Sequence, residues 1–96
     1  MRIARVVGSA VSTIKADQLR GAKLLIVRPA SVADELTGEP FVAVDSVGAG
    51  EGELVLVSEG SAGRVTDLTA DAPVDAVIMA ILDSLEVAGQ TTFRKG

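Results

Sequence analysis

The glycine-rich segment VGAGEGE, residues 47–53, is the stretch of this sequence whose pattern comes nearest to that of a ligand-binding loop. Its three glycines occupy alternate positions: Gly48, Gly50 and Gly52. Glycine-rich loops hold phosphates when they connect a strand to the N-terminus of a helix. Here the residues that follow, ELVLV, predict a strand, and Glu51 and Glu53 would repel a phosphate. The segment is therefore interpreted as a tight connection in which glycine permits positive φ or the close approach of another backbone.

The other residue types that could carry chemistry are few and scattered. The sequence has no His and no Cys, which removes the commonest general base, the commonest metal ligand and all thiol chemistry. Ser12 and Lys15 match S-x-x-K, the pattern of a serine nucleophile beside its lysine. The S-D-N and K-T-G elements that accompany this pattern in enzymes that use it are absent from the sequence. Four carboxylates could pair or hold a hard cation, but their spacing specifies no site: Asp45, Glu51, Glu53 and Asp83. No catalytic residue, metal site or cofactor is predicted.

Length and composition favour one small domain, residues 1–96, which is 48% hydrophobic and carries a net charge of −4. The negative charge and the presence of only two aromatic residues, Phe41 and Phe93, disfavour nucleic-acid binding, which needs cationic surface and stacking rings. No apolar run reaches membrane-spanning length, and no signal peptide is apparent. A soluble protein inside the cell, with no membrane partner, is expected.

Apolar runs rich in Val, Ile and Leu predict four strands, at residues 3–14, 23–28, 41–47 and 53–58. Polar stretches between them, residues 15–22 and 29–40, predict loops. The third and fourth strands are expected to pair antiparallel around the glycine-rich segment.

Two later segments are harder to assign. Residues 60–68, GSAGRVTDL, could form one or two helical turns capped by Ser61 and limited by Gly63. In the block 74–87 the apolar residues follow a helical period, and Gly89 stands where a helix would end. The continuous apolar run 77–82 also has the length of a strand, so the residues alone favour a helix without excluding a strand.

Three ordered stretches resemble one protein family. They are RVVGSAVSTIKADQLRGAKLLIV near the N-terminus, DSVGAGEGELVLVSEGSAGR at 45–64, and PVDAVIMAILDSLEV at 73–87. Together they are similar to the vertex proteins of bacterial microcompartments, of the EutN/CcmL type. Where the family usually has GSAAR or GSSAR, this sequence has GSAGR. Because glycine at position 63 disfavours a helix, the length of a helical turn there stays open. The resemblance covers almost the whole chain except residues 29–40.

The resemblance implies a mainly β fold, a small five-stranded OB-like barrel with one or two short helical turns, assembled as a cyclic pentamer. It implies a structural role without enzymatic activity. Such pentamers cap the vertices of a polyhedral shell in the bacterial cytoplasm, whose facets consist of hexameric and pseudohexameric shell proteins. It also assigns residues 77–85 to a barrel strand rather than a helix.

A five-membered ring would bring five copies of a loop together, where side chains would collide. The expected residues near the five-fold axis or at subunit contacts are accordingly small: Gly48, Ala49, Gly50, Gly60, Ser61 and Ala62. Glu51 and Glu53 are expected to point away from the axis or to pair with Arg64 or Lys15 of the same or the next subunit. Three alternatives stay open: an OB-type nucleic-acid-binding domain, a small enzyme, and an unrelated oligomeric β protein.

Overall fold

The computed structural model describes residues 1–11, 23–60 and 75–95 of the chain. Seven strands lie in these ranges: β1 (Arg2–Ala10), β2 (Lys23–Pro29), β3 (Phe41–Asp45), β4 (Leu54–Glu59), β5 (Ala76–Ile81), β6 (Ser84–Val87) and β7 (Gln90–Arg94). They follow the Val- and Ile-rich runs of the sequence, since β-branched side chains pack well on a pleated surface.

The first five strands close into a barrel in the order β1-β2-β3-β5-β4, with β4 pairing back onto β1. All neighbouring strands are antiparallel except β3 and β5, which run parallel. Closure leaves no sheet edge exposed in the barrel. The prediction of a mainly β, five-stranded barrel is confirmed.

The barrel interior is filled by alternate residues of each strand, because successive side chains in a strand point to opposite faces. Small and branched side chains form this core, with Phe41 and Ile81 packed against it. The buried members are Ala4, Val6, Leu25, Val27, Ala43, Ala49, Val55, Val57, Ala76 and Ile78.

β5 shows why the block after residue 74 is a strand although its spacing favours a helix. Ile78 points into the core, and its neighbour Val77, on the other face of the strand, is also fully buried. A strand that is covered on both faces has no polar alternation, so its apolar residues can match a helical period by coincidence. The assignment to a strand is confirmed, and the helix favoured by the periodicity is wrong.

β5 ends at Ile81, earlier than the expected residue 85. Leu82 donates its backbone N–H to the carbonyl of Leu54 at 2.8 Å, and the chain then turns into the hairpin of β6 and β7. Ala88 and Gly89 form the tip of this hairpin, with φ of 51° and 81°. Two consecutive residues of positive φ are typical of a tight hairpin turn, so Gly89 marks a β-turn and not the end of a helix.

The expected antiparallel pair of β3 and β4 does not form. β5 lies between these two strands and pairs with both of them. The connection from β3 to β4, residues 46–53, therefore passes over the end of β5. The backbone N–H groups of Val47, Gly48 and Ala49 bind the carboxylate of Asp45 and are not available to an opposite strand.

Some predictions fall outside the described residues. These are the loop at 15–22, the end of the first strand at 12–14 and nearly all of the helical turn at 60–68. Within the three described ranges, the structure has no helix long and apolar enough to cross a membrane.

Candidate functional site: the loop between β3 and β4

The carboxylate of Asp45, at the end of β3, organises the first half of the 46–53 loop. Its Oδ1 atom accepts hydrogen bonds from the backbone N–H groups of Val47, Gly48 and Ala49, at 3.0, 3.1 and 3.2 Å. Asp45 is only 8% exposed. Three donors from a turn compensate the loss of water around the buried carboxylate. The N–H groups that a phosphate would need are therefore already bound.

Glu53 organises the second half of the loop. Its Oε1 accepts a hydrogen bond from the backbone N–H of Gly50 at 2.8 Å, and its Oε2 lies 2.7 Å from Nζ of Lys95. The hydrogen bond from Lys95, followed by that from Gly50, holds the pKa of Glu53 below its ordinary value of 4.5. The same hydrogen bond raises the pKa of Lys95. The loop is thus fixed at both ends by carboxylates of its own chain.

The three glycines of this loop differ in backbone conformation. Gly48 and Gly52 adopt φ of 79° and 91°, a conformation that residues with a Cβ atom rarely adopt. Gly50 has no positive φ, and a Cβ atom there would lie 3.5 Å from Oε1 of Glu53, an ordinary contact. Within residues 1–11, 23–60 and 75–95, no backbone angle or side-chain contact requires glycine at position 50.

Ala49 differs from its neighbours because its side chain is fully buried in the barrel core. Its carbonyl accepts a hydrogen bond from Nζ of Lys23 at 3.1 Å. A buried methyl group cannot touch a neighbouring subunit, so the expectation that Ala49 lies at an axis or interface does not hold for its side chain. Gly48 and Gly50 remain the candidates in this loop.

Gly60 follows β4 and the loop precedes it, so the two are separated by this six-residue strand, which spans about 17 Å from its first to its last residue. It has φ of 65°, and its N–H donates to the carbonyl of Asp75 at 2.8 Å. The two predicted glycine sites are therefore separate places on the barrel. Ser61 and Ala62, predicted with Gly60, lie outside the described residues.

The predicted ion-pair residues are only partly described. Lys15 and Arg64 lie outside the described residues, so their pairing with glutamates stays a prediction. Glu51 is exposed at the tip of the loop. Glu53 pairs with Lys95 of its own chain, a partner that was not anticipated because 42 residues separate the two in sequence.

Arg5 is a structurally important residue that the sequence did not single out. One Nη atom donates to the carbonyl of Gly52 at 2.6 Å, and the other forms an ion pair with Asp34. Its guanidinium also lies over the ring of Phe93, with Cζ 5.8 Å from the ring centre. Arg5 therefore joins β1, the 46–53 loop, the loop after β2 and the terminal hairpin. An arginine within an apolar run was the available signal, but the partners of Arg5 are distant in sequence.

A groove of about 590 Å³ opens at the end of the barrel opposite the 46–53 loop. Arg2 and Glu59 form an ion pair of 2.8 Å in its lining, and Cζ of Arg2 lies 5.3 Å from the ring centre of Phe41. Glu39 and Asp75 line it as well. Within the described ranges, no cluster of three or more potential metal-ligating side chains is present.

Comparison with known proteins matches residues 1–83 to the family described as ethanolamine utilisation protein EutN/carboxysome. The chain is 42% identical to the carboxysome shell vertex protein CcmL of Synechococcus elongatus, over 99% of this chain and 96% of that protein. It is 47% identical to the bacterial microcompartment shell vertex protein PduN of Salmonella typhimurium, over 88% and 98%. The solved structure of the GrpN pentameric microcompartment shell protein from Rhodospirillum rubrum superposes with a TM-score of 0.81 at 39% identity, over 92% and 100%. Because a closed five-stranded barrel and a family match over most of its length coincide, this chain belongs to the EutN/CcmL family.

Proposed function

We propose that five copies of this chain form a closed ring that caps the vertices of a polyhedral bacterial microcompartment. The observation that carries the proposal is the family match over residues 1–83, together with the similarity to a solved pentameric shell protein. The family and its named relatives are structural shell vertex proteins, so the chain is a structural protein and not an enzyme. Bacterial microcompartments lie in the cytoplasm, which is where the chain acts.

The physical properties of the subunit support a ring. A cyclic ring repeats one interface between two different surfaces of the subunit until it closes. A 96-residue chain buries a modest fraction of its surface, so contacts between subunits add stability that a single barrel lacks. We treat residues 1–96 as one vertex domain, which is consistent with relatives that align over 99% of the chain.

Gly48, Gly50 and Gly60 are the proposed points of close approach between subunits or at the five-fold axis. Among the residues that the structure describes, a Cβ atom added at Gly48 or Gly60 would meet no heavy atom within 4 Å. Gly50 supports the proposal most directly, because the described part of its own subunit gives no reason for glycine there. Pairing of Glu51 or Glu53 with Lys15 or Arg64 across the interface is part of the same proposal.

In the shell, the proposed partners of the pentamer are the hexameric and pseudohexameric proteins that form the facets. A five-fold unit is needed to close a shell whose facets are built from six-fold units. No nucleic-acid, membrane or cofactor partner is part of the proposal.

Native mass spectrometry of the purified protein tests the ring. The expected dominant species has about five times the 9.8 kDa mass of one chain. A stable monomer or dimer at micromolar concentration would contradict the proposal. A second experiment tests the shell partner: co-expression with hexameric facet proteins should give closed shells in electron microscopy, while facet proteins alone should give open sheets or tubes.

A further inference from the structure

The terminal hairpin, formed by β6, β7 and the residues at their base, is a two-stranded sheet separate from the barrel. No residue of β6 or β7 is fully buried, and the core cluster contains none of them. Leu85 and Phe93 pair across the hairpin and therefore share one face, and both are half-buried. A segment that buries little apolar surface can open locally while the rest of the fold stays intact. The position of the hairpin on the barrel therefore depends on its polar contacts.

Three polar or cation–π contacts in the described ranges attach the hairpin to the rest of the chain: Lys95 with Glu53, the Phe93 ring with the guanidinium of Arg5, and the hydroxyl of Thr92 with the carbonyl of Val32. A charged side chain takes part in two of them. Contacts between partly exposed charged groups are individually weak and are screened by salt. Release of the hairpin therefore costs much less free energy than unfolding of the barrel, and ionic strength favours release.

Glu53 connects the hairpin to the 46–53 loop, because its two carboxylate oxygens have different partners. Oε2 lies 2.7 Å from Nζ of Lys95 at the base of the hairpin, and Oε1 accepts a hydrogen bond from the backbone N–H of Gly50 at 2.8 Å. A glutamate side chain without a fixed partner exchanges between several rotamers. By fixing one oxygen, Lys95 keeps the other directed at Gly50. The docked hairpin thus maintains a hydrogen bond inside the loop.

Arg5 is a second connection between the hairpin and the same half of the loop. It points outward from β1, because its neighbours Ala4 and Val6 lie in the core. Cζ of Arg5 lies 5.8 Å from the centre of the Phe93 ring, and one Nη donates to the carbonyl of Gly52 at 2.6 Å. The ring and the loop carbonyl therefore hold the same guanidinium. A shift of the hairpin removes one contact that positions Arg5 beside Gly52.

The first half of the loop has a separate anchor. The backbone N–H groups of Val47, Gly48 and Ala49 bind Oδ1 of Asp45, at the end of β3. Asp45 is buried, and its strand is part of the barrel. These three N–H groups are therefore held by the barrel, whereas that of the next residue, Gly50, is held through the hairpin.

We infer that the terminal hairpin is a latch on the second half of the 46–53 loop. Docked on the barrel, it holds the hydrogen bond between Glu53 and Gly50. Released, it frees the N–H of Gly50 while the barrel and the first half of the loop stay folded. The inference concerns a single chain and goes beyond the proposed ring. In that ring Gly50 is a proposed point of contact, so a partner that binds the hairpin would change the order of that contact, and by linkage the contact would change the affinity for the partner.

Amide hydrogen exchange in the intact protein, measured by NMR, tests the latch because the two halves of the loop report separately. Lys95→Met is expected to speed exchange of the Gly50 amide about threefold or more, with residues 47–49 unchanged. Arg94→Met is the matched control, since it removes a positive charge from the neighbouring exposed residue, and it should leave Gly50 at the wild-type rate. An unchanged Gly50 rate in Lys95→Met, or equal acceleration of residues 47–50, would overturn the inference.

Phe93→Leu distinguishes docking of the hairpin from a purely local contact. Phe93 forms no hydrogen bond or ion pair with Glu53, so this variant weakens docking without removing a partner of the carboxylate. Because the contact with Arg5 is lost, Gly50 should exchange about twofold faster or more. If Lys95→Met speeds exchange at Gly50 but Phe93→Leu does not, the hydrogen bond is local and the latch is wrong.

Salt gives a test without a variant at the loop. Raising NaCl from about 0.05 to about 1 M should speed exchange at Gly50 in the wild type, and less so in Lys95→Met. An equal response of the two proteins would contradict the latch, as would loss of protection in the barrel strands under the same conditions. A monomeric wild type would overturn the proposed ring and not the latch, because none of these measurements requires a ring.

Discussion

Glu53 and Lys95 form an ion pair of 2.7 Å between Oε2 and Nζ that joins the start of β4 to the residue after β7. The other oxygen of Glu53 accepts a hydrogen bond from the backbone of Gly50. One carboxylate therefore fixes both the 46–53 loop and the base of the terminal hairpin. A two-stranded hairpin is marginally stable by itself, so attachment points of this kind maintain its position on the barrel.

This ion pair predicts a pH dependence of stability. The pKa of Glu53 is lowered by its hydrogen bonds to Lys95 and Gly50, so its contribution is present above the ordinary value of 4.5 and is lost as the pH falls through the lowered pKa. The pKa of Lys95 is raised, so its contribution is present below the ordinary value of 10.5 and is lost as the pH rises through the raised pKa. The expected stability difference between wild type and Glu53→Gln is constant between these limits and decreases outside them.

Thermal unfolding at several pH values and fixed protein concentration measures that difference. Glu53→Gln should unfold at a slightly lower temperature at neutral pH, because the pair is near the surface and partly screened by solvent. The control is Glu51→Gln, which changes an exposed glutamate of the same loop. A difference that grows as the pH falls below 4 would contradict the assignment of the pair.

Asp45→Ala is expected to destabilise the protein by about 2–3 kcal/mol, since it leaves backbone N–H groups of the loop without their acceptor. Asp45→Asn retains one acceptor oxygen and should cost less. Urea denaturation at fixed protein concentration gives both values. Asp75→Ala serves as the control because Asp75 is exposed. Equal stabilities of Asp45→Ala and Asp75→Ala would show that the carboxylate is not what holds the loop.

Arg5→Lys is expected to destabilise the protein by about 1–3 kcal/mol although the charge is kept. A lysine ammonium carries all its donors on one nitrogen, so it cannot occupy both Nη positions, beside Gly52 and Asp34, and also lie over the ring of Phe93. Chemical denaturation measures the loss. The matched control is Arg94→Lys on exposed β7, for which a change within about 0.5 kcal/mol is expected. If the two substitutions have the same effect, Arg5 is not the connection between these elements.

Gly48→Ala and Gly50→Ala form a matched pair that separates backbone strain from contact between subunits. Gly48 has positive φ, so alanine there should cost about 1–2 kcal/mol in stability. Gly50 has no positive φ, and alanine should leave the stability of the isolated subunit nearly unchanged. If Gly50 lies at the five-fold axis or an interface, Gly50→Ala should weaken the pentamer in native mass spectrometry. A pentamer of wild-type stability in this variant would remove Gly50 from the interface.

Local sequence patterns were sufficient to locate four of the five barrel strands. Val- and Ile-rich runs bounded by turn residues located β1 to β4, because the side chains that a strand buries are apolar and lie within its own sequence. From composition alone, the absence of His and Cys excluded imidazole and thiol chemistry, and the acidic charge disfavoured nucleic-acid binding. The ordered resemblance of three stretches to a known family then corrected the one segment, β5, whose apolar period was misleading.

The tertiary structure decided the relationships between distant residues. β5 lies between β3 and β4, and Glu53 binds Lys95 rather than a neighbour in sequence. Ala49 turns into the core while Gly48 and Gly50 beside it do not. None of this can be predicted from the 46–53 segment itself, because a loop has no periodicity and its hydrogen-bond partners come from elements that only barrel closure brings together. The residues by themselves determined where β1 to β4 lie, because each of these strands has its own apolar run. The closed barrel determined that β5 is a strand covered on both faces, and which strands and side chains meet.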